Sequence, residues 1–364
     1  TGSLNSPAID LSATPNVELR FAQRMRYCCR EEPGHYVDVS TDGGVSWPTR
    51  IAVDVNIPFY SVPNSTIATN EDPGTRMYRI NLTNAIGANP ANVRIRFTED
   101  GANGITAYNW QIDDVNIQTL APNDLKITGA ATTVWNINTA NSYDSLYYTM
   151  FPVGQLRALA LNMDLFNNGS ANATNTLAHI TVDDGYDQTA NLGTFAPGVS
   201  DTGMACQVGL SDYVPTATVG DHNISFAVSS DSTDVTPADN MASAKIAVTN
   251  FIYARDGNAR DGGINDTDNG DAFKIGNDFY VKADQTLYGI DVAFSLSSAT
   301  GVELNAQVLD PNSTNFDPLY ETGYYTLQPS DRSSLGGHKF VHFIFDTPVQ
   351  LAAGTDLLVV VQHF

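Results

Sequence analysis

Residues 17–27 read VELRFAQRMRY, and the order of the side chains in this stretch decides the fold class. Apolar Val17, Leu19 and Phe21 alternate with charged Glu18 and Arg20. Successive side chains of a β-strand point to opposite faces, whereas a helix repeats a face every three to four residues. The stretch therefore predicts a strand with one buried face and one solvated face.

The same alternation recurs along the chain. It is seen in VRIRF at 93–97, LAHITV at 177–182 and VELNAQVL at 302–309, while helical periodicity is nearly absent. Turn-forming stretches such as TDGG at 41–44 separate the apolar runs. We therefore expect an all-β protein built as tandem β-sandwiches.

The composition limits the partners of the protein. The chain has 364 residues and a net charge of −22, with 33 aspartates against 7 glutamates. A polyanion of this kind repels nucleic acid and anionic membrane, so neither is an expected partner. No apolar run approaches the roughly 18 residues that a membrane-spanning helix needs. Hydrophobic residues make up 42%, which is enough for several buried cores.

Residues 1–120 carry a resemblance to a known family. The stretches SPAIDLSATPNVELRFAQRMRY, YVDVSTDGGVSW, VRIRF and YNWQIDDVNI are similar to the MAM-like, "choice-of-anchor J" jelly-roll domains of secreted bacterial proteins. The resemblance implies a jelly-roll sandwich without catalytic residues. It also implies an extracellular protein of the kind that Bacteroidota export by the type IX pathway, whose machinery would act on a tail outside this chain.

Residues 121–250 and 251–364 are expected to form two further sandwiches. The end of the second segment resembles cell-adhesion-related bacterial immunoglobulin-like domains. The third segment is loosely similar to galactose-binding-like lectin domains or a further jelly roll. Its last strand stops abruptly, and the first residues lack a secretory signal, so we expect a fragment at both ends. The residues that carry the second resemblance are Gly220, Asp234, Asp239, Asn240, Ile246 and Val248.

The stretch ARDGNARDGGINDTDNGDAF at 254–273 is a candidate calcium site. Five aspartates, three asparagines and four glycines lie between positions 256 and 271. Calcium takes six to eight oxygen ligands, which a glycine-rich loop can supply, although the spacing is not that of an EF-hand. The alternative is a solvated interdomain linker, since these residues also form turns. The candidate ligands are Asp256, Asn258, Asp261, Asp266, Asp268 and Asp271.

Three other groups of residues are weaker candidates. In WQIDDVNI at 110–117 the alternation slips by one residue, which predicts a β-bulge at Asp113 and Asp114. These carboxylates are candidates for a second cation site, or they form a turn pair at the strand edge. The remaining candidates are a ligand-binding arginine stripe (Arg20, Arg24, Arg26, Arg94 and Arg96) and tyrosines that can stack on sugar rings (Tyr320, Tyr324 and Tyr325).

Each of these last two groups has a plainer interpretation. The arginines also suit an outer sheet face that pairs with local acids such as Glu18 and Glu99, rather than a patch for an anionic glycan. The tyrosines are equally compatible with core or interdomain packing.

Enzymatic signatures are absent where they would be sought. The sequence holds no HExxH, G-x-S-x-G, P-loop or dinucleotide fingerprint. We therefore expect a non-enzymatic protein. The resemblances imply that it is extracellular or on the bacterial cell surface and acts in adhesion or in binding a glycan or protein. The alternatives are the accessory modules of a secreted peptidase or polysaccharidase, and a structural filament or surface-layer subunit.

Overall fold

The protein folds almost entirely as β-sheet, which confirms the expected all-β, sandwich-type class. Of the residues that the structure describes, 58% lie in strands and 5% in helices. Within the described ranges, no helix is both long enough and apolar enough to cross a bilayer. The computed structural model describes residues 2–28, 34–54, 59–61, 68–70, 75–101, 106–135, 145–146, 148–201, 210–255, 273–313, 317–334 and 339–364.

The first group of strands forms two facing sheets, called here the first sandwich. Its sheets have the orders β1-β8-β3-β4 and β5-β6-β2-β7, and β9 pairs with the other side of β2. The elements are β1 (Gly2–Asn5), β2 (Val17–Cys28), β3 (His35–Ser40), β4 (Thr49–Ala52), β5 (Phe59–Ser61), β6 (Ala68–Asn70), β7 (Arg76–Asn81), α1 (Thr83–Ile86), a 3₁₀ turn (Pro90–Asn92), β8 (Arg94–Glu99) and β9 (Thr106–Thr119).

The apolar residues that alternate with polar ones in the sequence form the buried face of these strands. Leu19 and Phe21 of β2 pack against Val37 of β3 and Ile95 of β8 in one buried cluster that joins the two sheets. The predicted bulge is confirmed, because three steps along β9 match two along β2 between Arg20 and Ala22. The extra residue restores the inward phase after the slip.

The second sandwich is again built from two sheets. One sheet runs β11-β10-β13-β16 and the other β12-β18-β17-β14-β15, in which β12 is a parallel edge strand. Its core draws on both sheets, with Leu161 and Leu165 facing Ile224 and Phe226. The elements are β10 (Leu125–Trp135), β11 (Ser145–Leu146), β12 (Met150–Pro152), a 3₁₀ turn (Val153–Gln155), β13 (Ala160–Asn167), β14 (Ala173–Val182), β15 (Asp187–Phe195), β16 (Ser200–Asp201), β17 (Gly220–Ser229) and β18 (Met241–Thr249).

The third sandwich packs a five-stranded sheet against a three-stranded sheet. The orders are β19-β26-β21-β22, with β23 also paired to β21, and β24-β20-β25. Val308 and Leu357 of one sheet bury against Phe345 and Val349 of the other. The elements are β19 (Phe273–Val281), β20 (Gln285–Ser295), β21 (Glu303–Leu309), β22 (Pro318–Glu321), β23 (Tyr325–Thr326), a 3₁₀ turn (Pro329–Asp331), β24 (Arg332–Ser333), β25 (Phe340–Leu351) and β26 (Thr355–His363).

Candidate functional site

Polar loops join the first sandwich to the second. Asn81, at the end of β7, donates from Nδ2 to Asn168 Oδ1 at 3.1 Å. Asn84 of α1 donates to the carbonyl of Gly198 at 2.5 Å. A Cβ on Gly169 would lie 2.5 Å from the carbonyl oxygen of Pro122. The two loops therefore approach so closely that only glycine fits at position 169. These contacts are called the first junction.

An acidic cluster of Asp124, Asp234 and Asp239 lies at this junction. Asp124 precedes β10, while Asp234 and Asp239 belong to the loop between β17 and β18. One oxygen of each carboxylate lies within 4.8 Å of the others. The Asp234 carboxylate accepts a hydrogen bond from the backbone N–H of Leu125 at 2.8 Å. The backbone carbonyl of Asp239 accepts one from the N–H of Ile127. The loop is therefore tied to the segment that leaves the first sandwich.

A charged network of the first sandwich lies beside the cluster. Glu18 is buried, and its carboxylate accepts hydrogen bonds from Arg79, Gln118 and Arg20. Burial alone would raise the pKa of Glu18, but these three donors outweigh it and hold the pKa below its ordinary value of 4.5. The charge of Arg79 also acts on Asp124 and Asp239.

Aromatic rings around a buried arginine form the second junction, between the second and third sandwiches. Arg157 is 8% exposed and donates to the Tyr253 hydroxyl at 2.5 Å and to the Tyr280 carbonyl at 2.9 Å. Its guanidinium lies 5.5 Å from the ring centre of Tyr148 and 5.0 Å from that of Tyr280. Tyr148 stacks on Tyr253 at 4.7 Å, and Phe279 packs edge-on against Tyr253. Cation–π contacts and charged hydrogen bonds therefore hold this arginine.

Backbone groups complete the second junction. Gln155 is buried, accepts the N–H of Lys282 at 2.8 Å and donates to the carbonyl of Ala283 at 2.8 Å. The ammonium of Lys282 donates to the carbonyl of Leu156. The third sandwich thus docks on the second through paired backbone and side-chain hydrogen bonds as well as through rings.

The predicted calcium loop lies outside the described residues. Its candidate ligands Asp256, Asn258, Asp261, Asp266, Asp268 and Asp271 all fall between positions 256 and 272. The structure adds the acidic cluster instead. The resemblance in the sequence includes Asp234, Asp239 and Asn240, whereas Asp124 lies 110 residues before Asp234 and belongs to none of the motifs described above.

Asp113 and Asp114 lie at the bulge of β9, as predicted. Both are exposed, Asp114 has a positive φ of 51°, and its N–H donates to the carboxylate of Asp113 at 2.8 Å. Among the described residues no group of three metal-ligating side chains includes them.

The arginine stripe is divided between the two outer faces of the first sandwich. Arg20 and Arg24 belong to β2, whereas Arg94 and Arg96 belong to β8 in the opposite sheet. Arg20 pairs with Glu18, as the plainer interpretation expects. Arg96 donates to Asp38, and the side chain of Arg26 lies outside the described residues. The structure therefore does not bring the five arginines together as one patch.

Of the three candidate tyrosines for sugar stacking, two are exposed and one is packed. Tyr320 is 43% exposed and Tyr324 is 66% exposed, at the edge of the third sandwich. Tyr325 instead donates to Asp331 at 2.7 Å and packs its ring against Phe343. Only the first two are free to meet a ligand.

A buried histidine network in the second sandwich resembles catalytic groups only in composition. His222 is 3% exposed, with Nδ1 at 3.1 Å from Asp184 and Nε2 at 2.9 Å from the carbonyl of Thr218. Tyr213 donates to the same Asp184 oxygen at 2.8 Å. Both ring nitrogens of His222 therefore make contacts inside the sandwich.

An apolar groove opens between the sheet edges of the first sandwich. Its volume is about 440 Å³, and Leu4, Ile9, Phe97 and Val115 are among its lining residues. No ionisable side chain is in the lining, which also includes Asn5, Ser6, Leu19, Ile95, Asn116 and Ile117. The groove therefore offers apolar contact without acid–base groups.

Comparison with known proteins adds little to this geometry. No protein-family model matches the sequence, and no curated protein matches it. Among solved structures, the adhesin domain of Epf from Streptococcus pyogenes aligns at 9% identity with a TM-score of 0.14, covering 68% of this chain and 70% of that one. A likeness this distant carries no argument about fold or function.

Proposed function

We propose that this chain is a non-catalytic extracellular or cell-surface protein that acts in adhesion, presenting a binding surface on its third sandwich. The observation that carries the proposal is the closure of both junctions by directional, partly buried hydrogen bonds, with Arg157 at one and the Asn81–Asn168 pair at the other. Sandwiches fixed to one another in this way transmit force and hold a binding surface at a defined distance, which adhesion requires and hydrolysis does not.

The exposed edge of the third sandwich is the proposed binding surface. All four residues of β22 are exposed, and Leu319 and Tyr320 belong to it. Tyr324 is exposed nearby and packs edge-on against Phe364 at 5.1 Å. Aromatic rings with one free face stack on sugar rings or anchor a protein partner. Because the net charge is −22, a neutral or basic partner suits this surface better than an anionic one.

A glycan array probed with the purified chain tests the proposal. We expect binding by the wild type that is lost in the double variant Tyr320→Ala plus Tyr324→Ala. Tyr288→Ala is the matched control, because Tyr288 is 63% exposed and belongs to a different strand, β20. Equal loss in the control, or unchanged binding in the double variant, contradicts the proposed surface.

If no glycan binds, binding to a protein partner is measured next. The same three proteins are then compared for attachment to immobilised extracellular-matrix proteins. Failure of the wild type in both assays contradicts the adhesion proposal as a whole.

A further inference from the structure

Two of the three carboxylates of the acidic cluster have an enclosed oxygen that no described donor meets. Asp124 is 3% exposed. Its Oδ2 accepts a hydrogen bond from Asn168 at 2.5 Å, while its Oδ1 is enclosed with no hydrogen-bond partner among the described residues. The Oδ1 atoms of Asp239 and of the adjacent Asn240 are likewise buried and unpartnered. Buried oxygens of this kind are costly unless something of opposite charge meets them.

Neighbouring cations act on the cluster from a distance but do not contact it directly. None of the three carboxylates forms an ion pair with a described lysine or arginine. Arg79 gives its hydrogen bonds to Glu18, and the ammonium of Lys126 lies over the ring of Phe166 at 5.2 Å. The cluster therefore concentrates negative charge that no described lysine or arginine contacts directly.

We propose that Asp124, Asp234 and Asp239 bind one calcium ion. Oxygens within 4.8 Å of one another can all reach an ion at 2.3–2.6 Å, the calcium–oxygen distance. An all-oxygen set selects a hard cation over zinc or copper. Magnesium is bound through one or two carboxylates and keeps several waters, so three convergent carboxylates favour calcium.

Calcium at this position fixes the first sandwich to the second. It bridges the segment that leaves β9 to the loop between β17 and β18. Asn168, which donates to Asp124, also accepts the hydrogen bond of Asn81 from the first sandwich. Ion binding thus stabilises both sides of the first junction, and this role is independent of any glycan bound by the third sandwich.

Isothermal titration of the full chain with calcium chloride, after removal of ions with a chelator, tests the site. We expect Asp239→Asn to weaken the binding at this site about tenfold or more, because affinity follows the number of ligand charges. Asp231→Asn is the matched control in the same loop, since Asp231 accepts from Thr174 and Asn175 outside the cluster. The double variant Asp266→Asn plus Asp268→Asn separates this site from the predicted loop.

Thermal unfolding shows whether a loss of calcium binding by the variant comes from misfolding instead of from the missing ligand. In chelator, Asp239→Asn is expected to melt no lower than the wild type, because it removes a charge that no described lysine or arginine contacts directly and keeps the side-chain shape. Calcium is expected to raise the Tm of the wild type but not that of Asp239→Asn. Wild-type calcium affinity in Asp239→Asn, no calcium binding by the wild type at millimolar concentration, or a lower Tm of the variant in chelator would each overturn the proposal.

Discussion

The two junctions of this protein connect similar sandwiches by opposite chemistry. The first is made by loops that carry asparagines, a close-approaching glycine and the acidic cluster. The second is made by Tyr148, Tyr253 and Phe279 around Arg157. Aromatic rings bury a large area and lose few rotamers, so the second junction is stable by itself. The first is made of polar and charged side chains, and the proposed calcium ion would make it the adjustable one.

Removing the arginine is expected to have the largest effect. Arg157→Ala leaves the Tyr253 hydroxyl and the Tyr280 carbonyl without their charged donor and empties the space between two rings. We expect a loss of about 3 kcal/mol in the free energy of unfolding, measured by urea denaturation. Lys245→Ala, at an exposed ion pair, is the control with a loss of about 0.5 kcal/mol. A loss below that of the control would show that the arginine does not hold the second junction.

Adding one methyl group distinguishes the two junctions directly. At Gly169 a Cβ meets backbone atoms at 2.5 and 2.9 Å, whereas at Gly154 it meets only the flexible side chain of Gln285 at 3.5 Å. Gly169→Ala is therefore expected to cost about 2 kcal/mol and Gly154→Ala less than about 0.5 kcal/mol, measured as urea midpoints. Equal costs would remove the close approach from the account of the first junction.

Acid is expected to act on the charged network beside the first junction, and alkali on the second junction. The pKa of Glu18 is lowered on folding, so its contribution is present above its ordinary pKa of 4.5 and is lost as the pH falls through the folded value. Burial, with Tyr148 beside it, raises the pKa of Tyr253 above its ordinary value of 10, so its contribution is present below pH 10 and is lost as the pH rises further.

Urea midpoints measured across pH test this difference. Glu18→Gln is expected to flatten only the acid limb of the profile, and Tyr253→Phe only the alkaline limb. Each variant is the control for the other. A variant that flattens the opposite limb would contradict the assignment of the two groups.

A single polar contact at the first junction is expected to have the smallest effect. Asn84→Ala removes the hydrogen bond to the Gly198 carbonyl, which water can then replace. We expect a loss of about 1 kcal/mol by urea denaturation. Asn223→Ala removes a comparable exposed bond, to Asp183 within the second sandwich, and serves as the reference. A loss of 3 kcal/mol or more would mean that this junction is not the weaker one.

Much of the fold could be predicted from the sequence because its causes are local. Alternation in VELRFAQRMRY predicts the buried face of β2, and the phase slip before Val115 predicts the bulge. The turn after β3 is similarly local, since Asp42 accepts the N–H groups of Val45 and Ser46 and hydroxyls of Ser40 and Ser46.

The candidate site could not be predicted in the same way because its causes are topological. Asp124 meets Asp239 only after β10 and β18 have taken their places in the second sandwich. The arginines share an alternation pattern, yet β2 and β8 enter opposite sheets, which the pattern does not specify. Residues distant in sequence are brought together by strand order, and strand order is not encoded in any one strand.

Hydrogen exchange of the whole chain, compared between calcium and chelator, tests the central claim most directly. The account predicts faster amide exchange in chelator for the first-junction segments at 120–127 and 229–241. The second-junction segments at 148–157 and 279–283 should exchange at the same rate in both conditions. Equal behaviour of the two junctions, whether both change or neither does, would contradict the account.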